Sequence, residues 1–258
     1  MNADPLHWLV LAAAALGAGL LNALAGGGSF LTFPALVWTG VPPIAANATS
    51  AVAVSPGYLG SSLGFADELR ALPRQRLRRE MLIAAVGGVL GALLLLITPA
   101  KVFAGVVPWL LLLATVLFAL GPTLAQRARQ RQTVEVPAHS ASLGRSLGLL
   151  AVAIYGGYFN GGLGILLMAL YTLTGETRIH TVNALKNLNS LVLSLLSVAT
   201  FAWAGVVVWR EAALMALAAT LGGWLGARLA QRLPAAGVRL FVIATGLVMS
   251  GLFFARNA

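Results

Sequence analysis

Charge is what this chain has least of. Only 9% of its 258 residues are Asp, Glu, Lys or Arg, against 59% hydrophobic, where a soluble domain carries about a quarter charged. From Pro5 to Ala66, 62 residues pass with no formal charge at pH 7 beyond what His7 can carry. Soluble packing is excluded by such a run. A spanning helix needs about 20 apolar residues, because lipid satisfies no backbone amide and the helix satisfies its own. Cysteine is absent, which excludes disulfides, thiolate chemistry and Cys-ligated metals. Also missing are a Gly-x4-Gly-Lys-[Ser/Thr] nucleotide loop, paired aspartates within the apolar runs and the Gly-x-Ser-Gly of intramembrane serine proteases. Ser29 follows three glycines, but no histidine is placed as its base. The chain is therefore not read as an enzyme, and no metal or cofactor is expected. Met1-Asn2-Ala3-Asp4 lacks the basic region of a cleavable signal, so the first apolar segment is expected in the mature protein.

The charge that is present is mostly positive, for a net of +10. Nine of the seventeen basic residues fall in two stretches, Arg70, Arg74, Arg76, Arg78 and Arg79, then Arg127, Arg129, Arg131 and Arg145. Aromatic residues do not alternate with them, which argues against a nucleic-acid partner. Arginine-rich connections on one side of a membrane protein set its orientation, and that is the reading adopted.

An internal repeat organises the chain. Gly40, Gly87, Gly88, Gly91 and Pro99 recur as Gly175, Gly222, Gly223, Gly226 and Pro234, each 135 residues later. Asn22 before a glycine cluster is answered by Asn160, and Asn47-Ala48 by Asn183-Ala184 one residue out of register. This implies two related halves, 1–121 and 146–258, joined by an arginine-containing cytoplasmic linker over 122–145. Apolar runs predict spans over 43–65, 81–98, 102–121, 179–207, 212–231 and 240–255. Residues 29–39 are only half a span long at about 1.5 Å per residue. Residues 146–175 exceed one span, fall short of two, and are broken by Gly161, Gly162 and Gly164. As a re-entrant hairpin, 146–175 places Arg228, Arg232 and Arg239 on the same side as the two basic clusters, which positive-inside counting favours. The expected fold is an all-α polytopic membrane protein of two inverted-topology repeats, each opening with short broken or re-entrant helices. Because 6–25 is also long enough to span, six spans plus two hairpins, eight spans and ten spans all stay open.

Two groups of residues carry candidate chemistry. Asn22, Gly26, Gly27, Gly28 and Ser29 precede the first half-length segment, and Asn160, Gly161, Gly162 and Gly164 the second. Glycine breaks expose amides, Ser29 is an acceptable N-cap, and a helix N-terminus attracts anions; the competing reading is close packing alone. The second group is Asn47, Thr49 and Ser50 in one half, with Asn183, Lys186 and Asn187 in the other. Lys186 lies about two turns into an apolar span, where a lysine costs ~2.5–3.5 kcal/mol and normally faces a cavity or a partner. Snorkelling toward the interface is the alternative.

Gly19-Leu20-Leu21-Asn22-Ala23-Leu24-Ala25-Gly26-Gly27-Gly28, then Pro34, Gly40-Val41-Pro42-Pro43 and Ala48-Thr49-Ser50, resembles the first repeat of the TauE/SafE sulfite exporter family. Asn160-Gly161-Gly162-Leu163-Gly164, Gly175, Asn183-Ala184 and the later Gly-Gly-x-x-Gly-Ala resemble its second. The resemblance covers nearly the whole chain and implies a multi-pass permease of the bacterial plasma membrane for sulfite, sulfonates or related anions. Leu185-Lys186 in the second repeat departs from Thr49-Ser50 in the first. The expected partners are a small anionic substrate and the lipid bilayer, with a homo-oligomer allowed. An intramembrane enzyme or a non-transporting partner subunit is the alternative.

Overall fold

Proline and glycine punctuate the apolar runs, and the helices start and stop at them. The computed structural model describes residues 4–24, 27–131, 138–176, 178–229 and 235–257, and among these it contains eleven helices and no strand. In chain order they are α1 (Pro5–Leu24), α2 (Ser29–Trp38), α3 (Pro43–Gly64), α4 (Ala66–Arg70), α5 (Arg74–Ile97), α6 (Ala100–Arg131), α7 (Ala138–Tyr158), α8 (Leu163–Leu173), α9 (Ile179–Trp203), α10 (Trp209–Leu229) and α11 (Ala235–Asn257). Pro43 opens α3 where a missing amide hydrogen costs nothing. The ends of α2 and α8 are built alike. Gly40 (φ +89°) and Gly175 (φ +94°) are left-handed, and the next amides, of Val41 and Glu176, reach back to the Leu36 and Tyr171 carbonyls at 3.0 and 2.9 Å. Only glycine adopts that backbone without strain, which is why this pair recurs in the two halves.

Four helices are long and apolar enough to cross a membrane by length and composition, namely α1 through Asn22, α5, α6 through Leu120, and α9. The expected spans coincide with α3, α5, α6, α9, α10 and α11. The expected linker over 122–145 carries helix of its own. Helix α6 continues to Arg131 and α7 begins at Ala138, so most of 122–145 is helical. Leu124, Ala125, Gln126, Arg127, Ala128, Arg129 and Gln130 are all strong helix formers, and extend α6 beyond its apolar part.

Opposite ends of the bundle differ in composition. His7, at the start of α1, packs edge-on against Trp38, at the end of α2, with ring centroids 5.7 Å apart. A cleft of about 800 Å³ opens at this end, lined by residues that include His7, Thr39, Ala45, Leu96, Val207 and Arg210. Exposed Trp38, Trp203 and Trp209 ring this tryptophan face, as amphipathic indoles do at a lipid–water interface. At the other end, the arginine face, Arg145 in α7 donates to the Thr174 hydroxyl and carbonyl after α8 (3.2 and 2.8 Å). There Arg178 and Thr181 also meet Glu68 of α4. Thus α1–α2 is a hairpin returning to the tryptophan face, and α7–α8 a hairpin returning to the arginine face.

Between the ends, the core is aromatic. Phe33 of α2 stacks on Phe253 of α11 and meets Phe159 edge-on, both at 5.5 Å, while Phe103 of α6 contacts Phe33, Phe159 and Tyr158. Phe33, Phe103 and Phe159 are fully buried.

Candidate functional site

The two helix breaks lie against each other. A methyl group placed on Gly162 would overlap Ala114 and touch Phe30; one on Gly27 would touch Phe30 and Ile165. The beginnings of α2 and α8 therefore meet inside the bundle, from opposite halves. Gly162 (φ +75°) is the N-cap of α8.

The breaks are finished differently. The Asn22 Oδ1 accepts hydrogen bonds from the Gly27 and Gly28 amides at 3.1 and 2.8 Å. It thereby takes up two of the amides expected to face an anion. Ser29 is not the N-cap of α2: the cap is Gly28, and Ser29 is the buried first residue of the helix. Asn22 has already supplied the capping oxygen, so the serine hydroxyl is not needed there. Gly26 lies outside the described residues. In the second break, the Asn160 amide donates to Asn47 Oδ1 at 3.4 Å, and Asn47 Nδ2 donates to the Tyr158 carbonyl at 3.1 Å. The Gly161 carbonyl accepts from the Tyr155 hydroxyl at 2.7 Å. The Asn160 carboxamide, 3% exposed, has no partner at either atom. Asn22 and Asn160 are not positional equivalents, since one lies within α1 and the other inside the break.

Other candidates divide between stitching and vacancy. The Thr49 hydroxyl accepts from the Val208 amide at 3.0 Å, tying α3 to the α9–α10 connection. Ser50 and Thr32 share a hydroxyl–hydroxyl bond of 2.6 Å between α3 and α2. Gly164 and Asn187 are buried, and Asn183 is half-buried. Lys186 is 8% exposed and makes no ion pair or hydrogen bond with any described residue. Near it in sequence, the Ser190 hydroxyl is also buried without a partner.

A buried acidic cluster went unread in the sequence. Glu80 of α5, 5% exposed, accepts from Arg76 Nε (3.0 Å), the Tyr171 hydroxyl (2.7 Å) and Asn189 Nδ2 (3.4 Å). The Asn189 amide also donates to the Tyr171 oxygen at 2.7 Å, and Arg76 reaches Glu176 at 3.0 Å. Glu176 is thus a half-buried member of an ion pair. The available signal was Glu80 at i+4 from Arg76, the spacing of a helical ion pair.

The profile of a family described as "Sulfite exporter TauE/SafE" matches residues 11–253. The chain is 30% identical over 255 residues to the "Probable membrane transporter protein YfcA" of Escherichia coli (strain K12), covering 96% of this chain and 89% of that protein. It is 28% identical to a "Probable membrane transporter protein" of Haemophilus influenzae (strain Rd), covering 90% and 89%. It is 27% identical to "Probable membrane transporter protein ORF9" of a Sinorhizobium species, covering 92% and 88%. No solved structure gives a significant match.

Proposed function

The chain belongs to the sulfite exporter TauE/SafE family and is a multi-pass membrane transporter, and from that premise we propose that it moves a small sulfur-containing anion, sulfite or an organosulfonate, by alternating access. The observation that carries the reading is Lys186, a buried lysine with no counter-charge among the described residues. A lysine at membrane depth normally faces a cavity or a partner, and an anion fills that place. Asn160 adds a buried carboxamide without partners at the start of α8, where a helix N-terminus favours negative charge. In this reading Asn160, Gly161, Gly162 and Gly164 offer donors, Lys186 supplies charge, and Asn183, Asn187 and Ser190 line the approach. Asn22, Asn47, Thr49 and Ser50 hold the two breaks and α3 in place.

We further propose that the halves, 1–121 and 146–258, are inverted repeats with the substrate between them, as in other secondary transporters. Support comes from chain order, long–half–long–long–long in both halves once the short α4 is set aside. It comes also from the hairpins, one closing at the tryptophan face and the other at the arginine face.

Uptake of radiolabelled sulfite into proteoliposomes tests the function. Saturable flux competed by unlabelled sulfonate is expected, with none in empty vesicles. Flux no greater than in empty vesicles for sulfite and for sulfonates would sink the substrate class.

A further inference from the structure

The ends of the bundle are not equivalent, and the inequality lies in one polar cluster. Glu80 joins three helices at the arginine face: Arg76 on its own α5, Tyr171 on α8 and Asn189 on α9. Arg76 continues to Glu176, just beyond α8. The pairs are shielded from water, with side-chain exposures of 24% for Arg76, 7% for Glu80 and 12% for Glu176. Beneath them lies an apolar layer that includes Ala84, Leu163 and Leu167, all buried.

At the offsets of the repeat, the corresponding positions in the other half do not rebuild this cluster. Glu80 is matched by Met215, Tyr171 by Leu36, Asn189 by Ala53 and Glu176 by Val41. Arg76 is matched by Glu211, whose Oε2 is buried with no partner. Where one face has the network, the other has the cleft of about 800 Å³, with Glu211 in its lining.

We infer that Arg76, Glu80, Tyr171, Asn189 and Glu176 form the gate of the arginine face, holding α5, α8 and α9 together so that the bundle stands open only toward the tryptophan face. The inference rests on the transporter reading, since a gate needs a passage. Hydrogen bonds to ionised groups fix geometry more tightly than neutral ones. The hairpin that the gate holds, α7–α8, carries Asn160 and the α8 N-terminus. Opening the gate frees the end of α8 from α5 and α9, and exposes the apolar layer from the arginine side. Glu80, Arg76 and Tyr171 act through position and need not touch the substrate.

The absence of native cysteine makes single reporters clean. Ala45→Cys sits in the cleft of the tryptophan face, and Ala84→Cys in the apolar layer under the gate, one turn deeper than Glu80. Each is placed in the full chain in lipid nanodiscs and labelled with a charged maleimide, without substrate. With the gate intact, the cleft reporter labels fast and the buried one slowly. Glu80→Gln, which leaves Arg76 paired with Glu176, and Tyr171→Phe, which removes one hydroxyl, are expected to raise labelling at Ala84→Cys roughly tenfold and lower it at Ala45→Cys, as a two-state population shift requires. The gate is overturned if neither variant changes the buried reporter, or if both reporters speed up together, which marks a structural network and general loosening. Labelling needs no knowledge of the anion, so failed sulfite flux leaves this result standing, and failed gating leaves the flux result standing.

Discussion

At the scale of the residue, Lys186 separates function from stability. A lysine without a partner at membrane depth costs ~2.5–3.5 kcal/mol, so a residue kept only for the fold would not be lysine. Lys186→Met keeps the length of the side chain and removes the charge. Sulfite flux is expected to fall at least about tenfold, a loss of ~1.4 kcal/mol of anion interaction. The thermal midpoint in detergent is expected to hold or rise. A midpoint that falls together with the flux would make the lysine a structural element. Asn160→Leu follows the same logic, because the carboxamide it removes is buried and unpaired at both atoms, and an unmade buried hydrogen bond costs about 1–3 kcal/mol. Unchanged sulfite affinity in that variant would remove Asn160 from the site. Lys186 and Asn160 were legible in the sequence because each is a polar residue in an apolar run. Glu80 was not, since its hydrogen-bond partners Tyr171 and Asn189 lie 91 and 109 residues away. Periodicity carries no information at that range. Asn22 was legible as a residue but its bonds were not: its oxygen closes the break beside it, which only the turn geometry discloses.

At the scale of the element, glycine decides where helices cross. A Cβ on Gly222 of α10 would strike the Leu16 carbonyl of α1, and one on Gly19 of α1 the Ala219 carbonyl of α10. At a second crossing between the halves, Gly91 of α5 faces the Ile154 carbonyl of α7, and Gly157 of α7 the Gly88 carbonyl of α5. The obstacle is backbone each time, so no rotamer relieves it, and such close approach is how helices bind in lipid, where the hydrophobic effect does not drive their association. Gly222→Val or Gly91→Val is expected to cost more than the about 1–3 kcal/mol of ordinary overpacking, seen as a large drop in thermal midpoint or in folded yield. Gly105 of α6 and Gly251 of α11 have nothing within 4 Å of a built Cβ. Alanine at either is expected to stabilise by up to about 1 kcal/mol through helix propensity. Equal effects at crossing and open glycines would show that the crossings do not govern stability. Most helix positions followed from apolar run length and the 135-residue repeat. The extension of α6 did not, because an arginine-rich stretch reads equally as solvated helix or loop until its neighbours are known.

At the scale of the whole molecule, charge fixes orientation. In chain order, twelve of the sixteen basic residues among those described belong to helix ends or connections at the arginine face. Lys101, Arg210 and Arg256 belong to the tryptophan face, and Lys186 lies between the two. From a positive-inside bias of that size the arginine face is expected in the cytoplasm. With each hairpin returning to the face it left and α3, α5, α6, α9, α10 and α11 crossing, the beginning of α1 and the end of α11 are both expected outside. This arrangement ties orientation to the fold: were α7–α8 to traverse fully, the second half would reverse, and Arg210 and Lys101 would no longer share a face. Single cysteines in intact cells read this directly, since the chain supplies none of its own. Thr98→Cys, between α5 and α6, is expected to react with an impermeant maleimide from outside. Ala71→Cys, between α4 and α5, is expected to react only after permeabilisation. At the second-half connections, Ala204→Cys should behave like Thr98→Cys, and Gly175→Cys like Ala71→Cys. Labelling of Thr98 and Ala204 from opposite sides would break the hairpin account of α7–α8, and with it the inverted repeats and the anion site proposed between them.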